Sequence, residues 1–384
     1  MQYSILPYQP VRDSISILYI CRQKKLFMTF PCNMTLLISK KAFLIVLAIT
    51  VLIGCSQTDL MVEPTVESHV DEKFGEFAMI TGDAANVETA TQSGFVLMGG
   101  STDVDEAIAW MIERSGGGDF VVIRATGTDA YNNYIYDLGT VNSVETIIIN
   151  SVSKANKTNI ENKIKNAEAL FIAGGDQYDY VKYWKNTKVE NAINYLINTK
   201  KVPVGGTSAG CAILGDVYFS AQFGTVTSSQ ALNNPYSQKV ALGKNDFVNI
   251  PILAQTITDT HFDNPDRRGR ATTFLARMVQ DWNYNAKGIA VEEKTAVCID
   301  ENNIATVYGY NNGTAFFMQS NGQGPEVCTP NTKLTWNRNN QAVKVYKIEN
   351  EVNGNGSFDL NDWSGASGGT WKYFWVDNGV FHEN

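Results

Sequence analysis

An α/β fold, with a mostly parallel sheet sandwiched by helices and a C-terminal β-rich extension, is predicted by three features of this sequence. Short apolar runs alternate with stretches of helical spacing from Glu76 to about residue 290. That alternation implies crossover connections and a sheet covered on both faces. Several of the runs end in Gly-Gly pairs, at 99–100, 174–175 and 205–206, and sheets of this kind place ligands at the carboxyl ends of their strands. Beyond residue 290 the helical stretches give way to short strands joined by Asn and Gly turns, as in a β meander. With 384 residues, 44% hydrophobic and 18% charged, the chain can bury a sizeable core as one large domain or two small ones.

The N-terminal segment reads as targeting rather than fold. Lys40 and Lys41 precede an apolar run over 42–53 that ends at Gly54-Cys55. A basic start, a short apolar stretch and a small residue describe a secretory signal, and the run is short for a membrane span. Leu52-Ile53-Gly54-Cys55 resembles a bacterial lipobox, in which Cys55 is lipidated and becomes the mature N-terminus. The expectation is therefore an exported chain, lipid-anchored to a bacterial membrane on the periplasmic or outer side. The expected division is residues 1–55 as leader and signal peptide, 56–75 as a polar, acidic tether, 76–349 as the α/β domain and 350–384 as a C-terminal extension. Past residue 54 the chain carries 25 basic and 38 acidic side chains, a net charge of −13. Such a surface repels nucleic acid and excludes that class of partner.

Taken in order, residues 95–98 read as the first strand, 103–114 as a helix with Asp103 near its cap, and 120–123, 145–150 and 169–173 as further strands. Residues 189–198 read as a helix and 202–204 as the fifth strand. In the second half, 296–299, 304–308, 315–319 and 342–348 read as short strands. Cys211, Cys298 and Cys328 remain once the leader cysteines and Cys55 are set aside, with no Cys-x-x-Cys pair. Cys298 and Cys328 form either a disulfide or two buried thiols. The segment 353–362 is acidic, but its oxygen spacing is wrong for a calcium loop, and no metal is expected.

The chemistry concentrates at the strand ends. Gly206-Thr207-Ser208-Ala209-Gly210 follows a strand and precedes an apparent helix, the setting of a nucleophile on a sharp turn. The helix behind Ser208 would aim its N-terminus at developing negative charge, and the Ala209 N–H could bind an oxyanion. A serine needs a base at neutral pH. Of three histidines, His69 lies in the tether and His382 near the C-terminus, which leaves His261 in the body of the domain. The base needs a carboxylate. Glu292 and Glu293 end the run 288–291 and point to opposite faces if extended; spacing does not choose between them. The order Ser, His, Glu differs from the Ser, acid, His order of α/β-hydrolases. Gly174-Gly175-Asp176-Gln177 closes the fourth strand. Gly175 is a second oxyanion donor candidate, and Asp176 and Gln177 either read polar substrate atoms or form a tight turn with a helix cap at Asp176. Arg267, Arg268 and Arg270 suit fork-like binding of a substrate carboxylate, or else begin a solvated helix.

Together these residues resemble peptidase family S51, the group of cyanophycinases and α-aspartyl dipeptidases. The matching segments are Phe171-Ile172-Ala173-Gly174-Gly175-Asp176-Gln177, Gly206-Thr207-Ser208-Ala209-Gly210, Asp259-Thr260-His261-Phe262 with its arginines, and 288–296, in family order over roughly residues 90–320. The resemblance implies a fold similar to class I glutamine amidotransferases and a triad of Ser208, His261 and Glu293. It places Gln177, Arg267 and Arg270 at substrate-contacting positions. Two departures concern the substrate wall: Thr260 stands where cyanophycinases have Gln, and Pro265 where they have Arg. Cys211 replaces the preferred Ala and is expected to pack inward.

The resulting expectation is a serine peptidase acting on Asp-linked peptides, β-aspartyl-arginine among them, through an acyl-enzyme and without a cofactor. Its rival is a catalytically silent peptide-binding lipoprotein of the same fold. A glutamine amidotransferase would have Cys, not Ser, at the elbow. The sequence leaves the oligomeric state open, a dimer included.

Overall fold

The computed structural model describes residues 79–310, 312–349, 354 and 356–384. The expected leader, the expected lipidation site at Cys55 and the expected tether lie outside the described residues. The first half of the chain runs β1 (Met79–Gly82), β2 (Gly94–Met98), α1 (Asp105–Arg114), β3 (Asp119–Arg124), α2 (Tyr131–Leu138), β4 (Ser143–Ile148), α3 (Val152–Ala155), α4 (Thr158–Asn166), β5 (Ala169–Ile172), α5 (Gln177–Trp184), α6 (Lys188–Tyr195), β6 (Pro203–Thr207) and α7 (Ala209–Ala212). The second half continues with β7 (Val217–Phe219), α8 (Ser228–Asn233), β8 (Leu242–Lys244), β9 (Thr256–Asp259), α9 (Arg268–Trp282), β10 (Lys287–Val291), β11 (Thr295–Ile299), β12 (Ile304–Gly309), β13 (Thr314–Ser320) and β14 (Val343–Glu349). It ends with β15 (Gly356–Asp359), β16 (Ala366–Ser367), β17 (Thr370–Asp377) and β18 (Val380–Glu383).

The strands form two sheets. The larger has the order β1-β4-β3-β5-β6-β2-β11-β12-β15-β16. Its heart, β4-β3-β5-β6-β2, is parallel, as the alternating apolar runs predict. The smaller has the order β18-β17-β14-β13-β10-β9-β7-β8, with β9 parallel to both β7 and β10.

Strand alternation sorts the core into layers. In β2, Val96 and Met98 face α1 while Leu97 faces the opposite side; in β3, Phe120 and Val122 oppose Val121 and Ile123. The first set packs with Ile108 and Met111 of α1 and Ile135 of α2. The second set packs with α4 to α6 and with Ile289 and Val291 of β10, Phe317 of β13 and Ile348 of β14. The outer face of the smaller sheet, carrying Ala290, Phe316 and Met318, is closed by Phe274, Leu275 and Met278 of α9. Fully buried aromatic side chains such as Phe171 and Trp184 anchor these layers, and truncating one to Ala costs about 3–5 kcal/mol.

Several local expectations change. Asp103 does not cap α1: the N-cap is Val104, without a side-chain bond, because Asp103 instead accepts a hydrogen bond from the Tyr131 hydroxyl at 2.6 Å. The helix predicted over 189–198 is α6 followed by a π turn, Leu196–Lys200. The strands after residue 290 are not one meander. β11 inserts beside β2 in the larger sheet, and β13 and β14 join the smaller one. Residues 356–383 add strands to both sheets. Cys298 and Cys328 are free, buried thiols in different core layers, which settles the open alternative against a disulfide. Cys211 is fully buried as expected, and burial pushes its thiol well above the usual range.

Candidate active site

The carboxyl ends of β2, β5, β6, β9 and β10 bring the chemistry-bearing residues together. Ser208 follows β6 directly and sits at φ 52° and ψ −117°, a conformation that a side-chain-bearing residue holds at a cost of about 1–3 kcal/mol. Its backbone N–H donates to Met98 O of β2 at 3.1 Å. The bend behind it needs glycine: a Cβ on Gly210 would lie 2.0 Å from Ile172 O of β5. The helix expected behind Ser208 is the single turn α7, so little macrodipole accumulates there, and what remains resides in the first N–H groups.

His261 follows β9 at φ 47°. Its N–H donates to Gly99 O at 2.8 Å. Ser208 Oγ lies 2.7 Å from His261 Nε2, and His261 Nδ1 lies 2.7 Å from Glu293 Oε1. An ionised carboxylate only accepts hydrogen bonds. The imidazole proton therefore belongs on Nδ1, and Nε2 is left to accept from the serine hydroxyl. The His261 and Glu293 side chains keep 24% and 23% of their surface exposed, so this line of three groups is reachable from solvent. Of the two consecutive glutamates, Glu293 is thus the one that meets the imidazole. Glu292 donates its N–H to Thr314 O, and burial raises its carboxyl above the usual range.

A polar cleft of about 220 Å³ opens beside Ser208, lined by Gly175, Gln177, Ser208, Ala221, Thr225, Thr260, His261, Arg267 and Arg270. The three arginines take three different paths. Arg270 is 2% exposed and forms a two-pronged pair with Asp259, itself 3% exposed, with Nε 3.0 Å from Oδ2 and Nη2 on Oδ1. Arg267 donates from Nη1 to Thr260 O at 2.8 Å, and its buried Nε has no partner. Burial, and then the neighbouring Arg270 charge, push its guanidinium down to about 10, which leaves it cationic at neutral pH. Arg268 turns away to Asp266 and Glu383. Helical geometry explains the split, since 267 and 270 share a face that 268 does not.

The Gly174 loop behaves differently from one part of the expectation. Gly175 and Gln177 line the cleft. Asp176 does not: it is the N-cap of α5, accepting from Tyr178 N at 2.9 Å. A helix start needs its free N–H groups satisfied, and the Asp176 carboxylate is used there. Ala209 is the first residue of α7, buried directly behind Ser208.

Three residues of the site escaped sequence reasoning. Gly99 and Gly100 form the strap between the serine and the acid. Gly99 N donates to Thr295 O and Gly100 O accepts from Lys294 N, both at 3.0 Å. Gly100 has φ +101°, and a Cβ there would lie 2.5 Å from His261 Nε2. The Gly-Gly signal marked this sheet edge without revealing that role. Asp263, two residues past His261, accepts the Glu293 N–H at 3.0 Å; nothing in the spacing distinguishes it from a solvated acid.

The chain is similar to several known proteins. Among curated relatives it is 25% identical over 146 residues to the cyanophycinase of Geminocystis herdmanii, covering 38% of this chain and 48% of that protein. It is 22% identical over 179 residues to the cyanophycinase of Synechococcus elongatus, covering 47% and 50%. The chain thus spans about half the length of the curated relatives it matches. Among solved structures it is similar to a peptidase from an acI-B1 Actinobacterium, at 14% identity and a TM-score of 0.44 over 61% of this chain and 93% of that one. The family model for peptidase family S51 matches residues 95–307, more than half of the sequence and every segment that carries the site, and the chain belongs to peptidase family S51.

Proposed function

We propose that the chain is a serine peptidase that hydrolyses Asp-linked peptide bonds, β-aspartyl-arginine among them, through an acyl-enzyme on Ser208. The observation that carries this reading is the hydrogen-bonded line Ser208–His261–Glu293, with both links at 2.7 Å. Ser208 Oγ attacks the scissile carbonyl as His261 Nε2 takes its proton. Glu293 holds the ring and stabilises the imidazolium. The N–H groups of Ala209 and Gly175 face the oxyanion. The C–N bond then breaks, and the leaving amine receives the proton from His261. A water activated by the same imidazole adds to the acyl carbon and releases the acid. Arg267, cationic and without a carboxylate partner among the described ion pairs, binds a substrate carboxylate in the small polar cleft, with Gln177 beside it. Arg270, matched by Asp259, shapes that wall. We further propose that the enzyme is exported and held at a bacterial membrane through lipid on Cys55.

The test is a cleavage profile over β-aspartyl-arginine, Asp-X dipeptides and peptides lacking Asp. Cleavage of Asp-linked bonds is expected, falling at least about 10³-fold in Ser208→Ala. Full activity in that variant, or indifference to the aspartyl group, would contradict the reading.

A further inference from the structure

The segment from His261 to Arg268 carries the cleft residue Arg267, and the C-terminal hairpin of β17 and β18 reaches it at both ends. At its start, Phe262 is 1% exposed and packs on Phe316 of β13, with ring centroids 4.9 Å apart. Phe316 meets Phe374 of β17 at 6.3 Å, and Phe374 meets Phe381 of β18 edge-on at 5.0 Å. At its end, Arg268 donates from Nε to Asp266 Oδ1 at 2.9 Å and from Nη2 to Asp266 Oδ2 at 3.1 Å. Its third nitrogen, Nη1, donates to Glu383 Oε1 of β18 at 3.0 Å, 115 positions along the chain. One guanidinium thus ties the segment to the hairpin.

An isolated exposed ion pair holds little, because two mobile side chains must be ordered to form it. Here both partners stand on ordered backbone. Glu383 lies opposite the fully buried Phe374 in the β17–β18 ladder. The next residue, Asn384, accepts from Tyr373 N and Lys372 Nζ, both at 2.9 Å. On the other side, Asp266 O accepts from Ser228 Oγ at 2.8 Å, and Asp266 Oδ1 also accepts the Arg268 N–H at 3.0 Å. Arg267 stands between these two anchored neighbours as the N-cap of α9, without a side-chain cap bond. Its own ties are an N–H to Phe262 O at 3.0 Å and Nη1 to Thr260 O at 2.8 Å. The aim of its side chain therefore follows the backbone at 266–268, which the clamp fixes.

We propose that Glu383, acting through Arg268, is a positioning residue that holds the Arg267 guanidinium toward the cleft. The kinetic consequence rests on the peptidase reading of Ser208; the ordering of residues 262–268 does not. A substrate carboxylate then meets a guanidinium already in place, and the C-terminal hairpin sets the affinity of the site without touching the substrate.

Glu383→Ala in the full chain, followed by backbone hydrogen exchange and steady-state kinetics, tests it. The amides of residues 262–268 are expected to exchange about threefold to fivefold faster, with the rest of the chain and the melting temperature little changed. KM for Asp-linked peptides should rise about threefold to tenfold while kcat holds, because Ser208, His261 and Glu293 stay in line. Glu383→Gln, which keeps an accepting oxygen, should restore most of both. Arg268→Leu and the double variant Arg268→Leu/Glu383→Ala should match each other, since the acid acts only through the guanidinium. Unchanged exchange over 262–268, an unchanged KM where the parent cleaves, an equal effect of Glu383→Ala with and without Arg268, or a loss of kcat with a general fall in protection overturns the proposal. Faster exchange over 262–268 in Glu383→Ala, with no aspartyl peptide cleaved by the parent, would instead defeat the peptidase reading and leave the clamp standing.

Discussion

Ser208 at φ 52° and His261 at φ 47° are both held in backbone conformations that side chains disfavour, on either side of one 2.7 Å hydrogen bond. The surrounding backbone bonds to Met98 and Gly99 fix them there, so small displacements should matter. Gly100→Ala places a methyl against His261 Nε2 at a position with φ +101°. It is expected to lower kcat by about 10²-fold or more while stability falls by only ~1–3 kcal/mol, measured by steady-state kinetics alongside urea unfolding. Glu293→Gln keeps the shape of the acid but not its charge. It should reduce kcat by about 10²–10⁴-fold with little change in KM. Asp259→Ala behaves as a stability variant, because it strands the buried Arg270 guanidinium; a loss of about 3–5 kcal/mol is expected, read as a lower urea midpoint with an unchanged slope. That Ser208 and His261 meet at one sheet edge was legible in the sequence because an elbow flanked by glycines and a lone domain histidine are local signals. The split among Arg267, Arg268 and Arg270 was not, since it depends on which face of α9 meets Asp259, 11 positions from Arg270.

Among the elements, the parallel strands were readable because each combines an apolar run with a turn signal at its carboxyl end, as β5 does with Gly174-Gly175. Their partners were less so. β11 pairs with β2 across some 200 positions of sequence, and alternation within a strand says nothing about its neighbour. Asp176 was ambiguous for a related reason: a helix cap and a substrate ligand call for the same carboxylate, and only the start of α5 at Gln177 decides between them. The turn from β6 into α7 offers a direct check on element packing. A Cβ at Gly210 would meet the Ile172 carbonyl at 2.0 Å, backbone against backbone. Gly210→Ala should therefore cost both activity and folding, seen as a lowered melting temperature, whereas Cys211→Ala, at a buried inert thiol, should retain Ser208 reactivity.

At the scale of the whole molecule, one core layer is shared by the two sheets: Leu97, Val121 and Val297 of the larger pack in the same cluster as Ile289, Phe317 and Ile348 of the smaller. Ser208 rises from the larger sheet, and His261 and Glu293 follow strands of the smaller one. The hydrogen-bonded line Ser208–His261–Glu293 therefore bridges the two sheets and depends on both. The C-terminal strands belong to this arrangement, with Phe374 and Val376 of β17 fully buried. Removing residues 370–384 uncovers β14 and is expected to lower the melting temperature by more than about 10 °C. The most direct measurement of the central claim is labelling of the folded chain with a fluorophosphonate, followed by mass mapping of the adduct. A single adduct on Ser208, lost when His261 is replaced by Ala, is what this geometry predicts. No adduct on the parent chain, or one that forms as fast without His261, would contradict it.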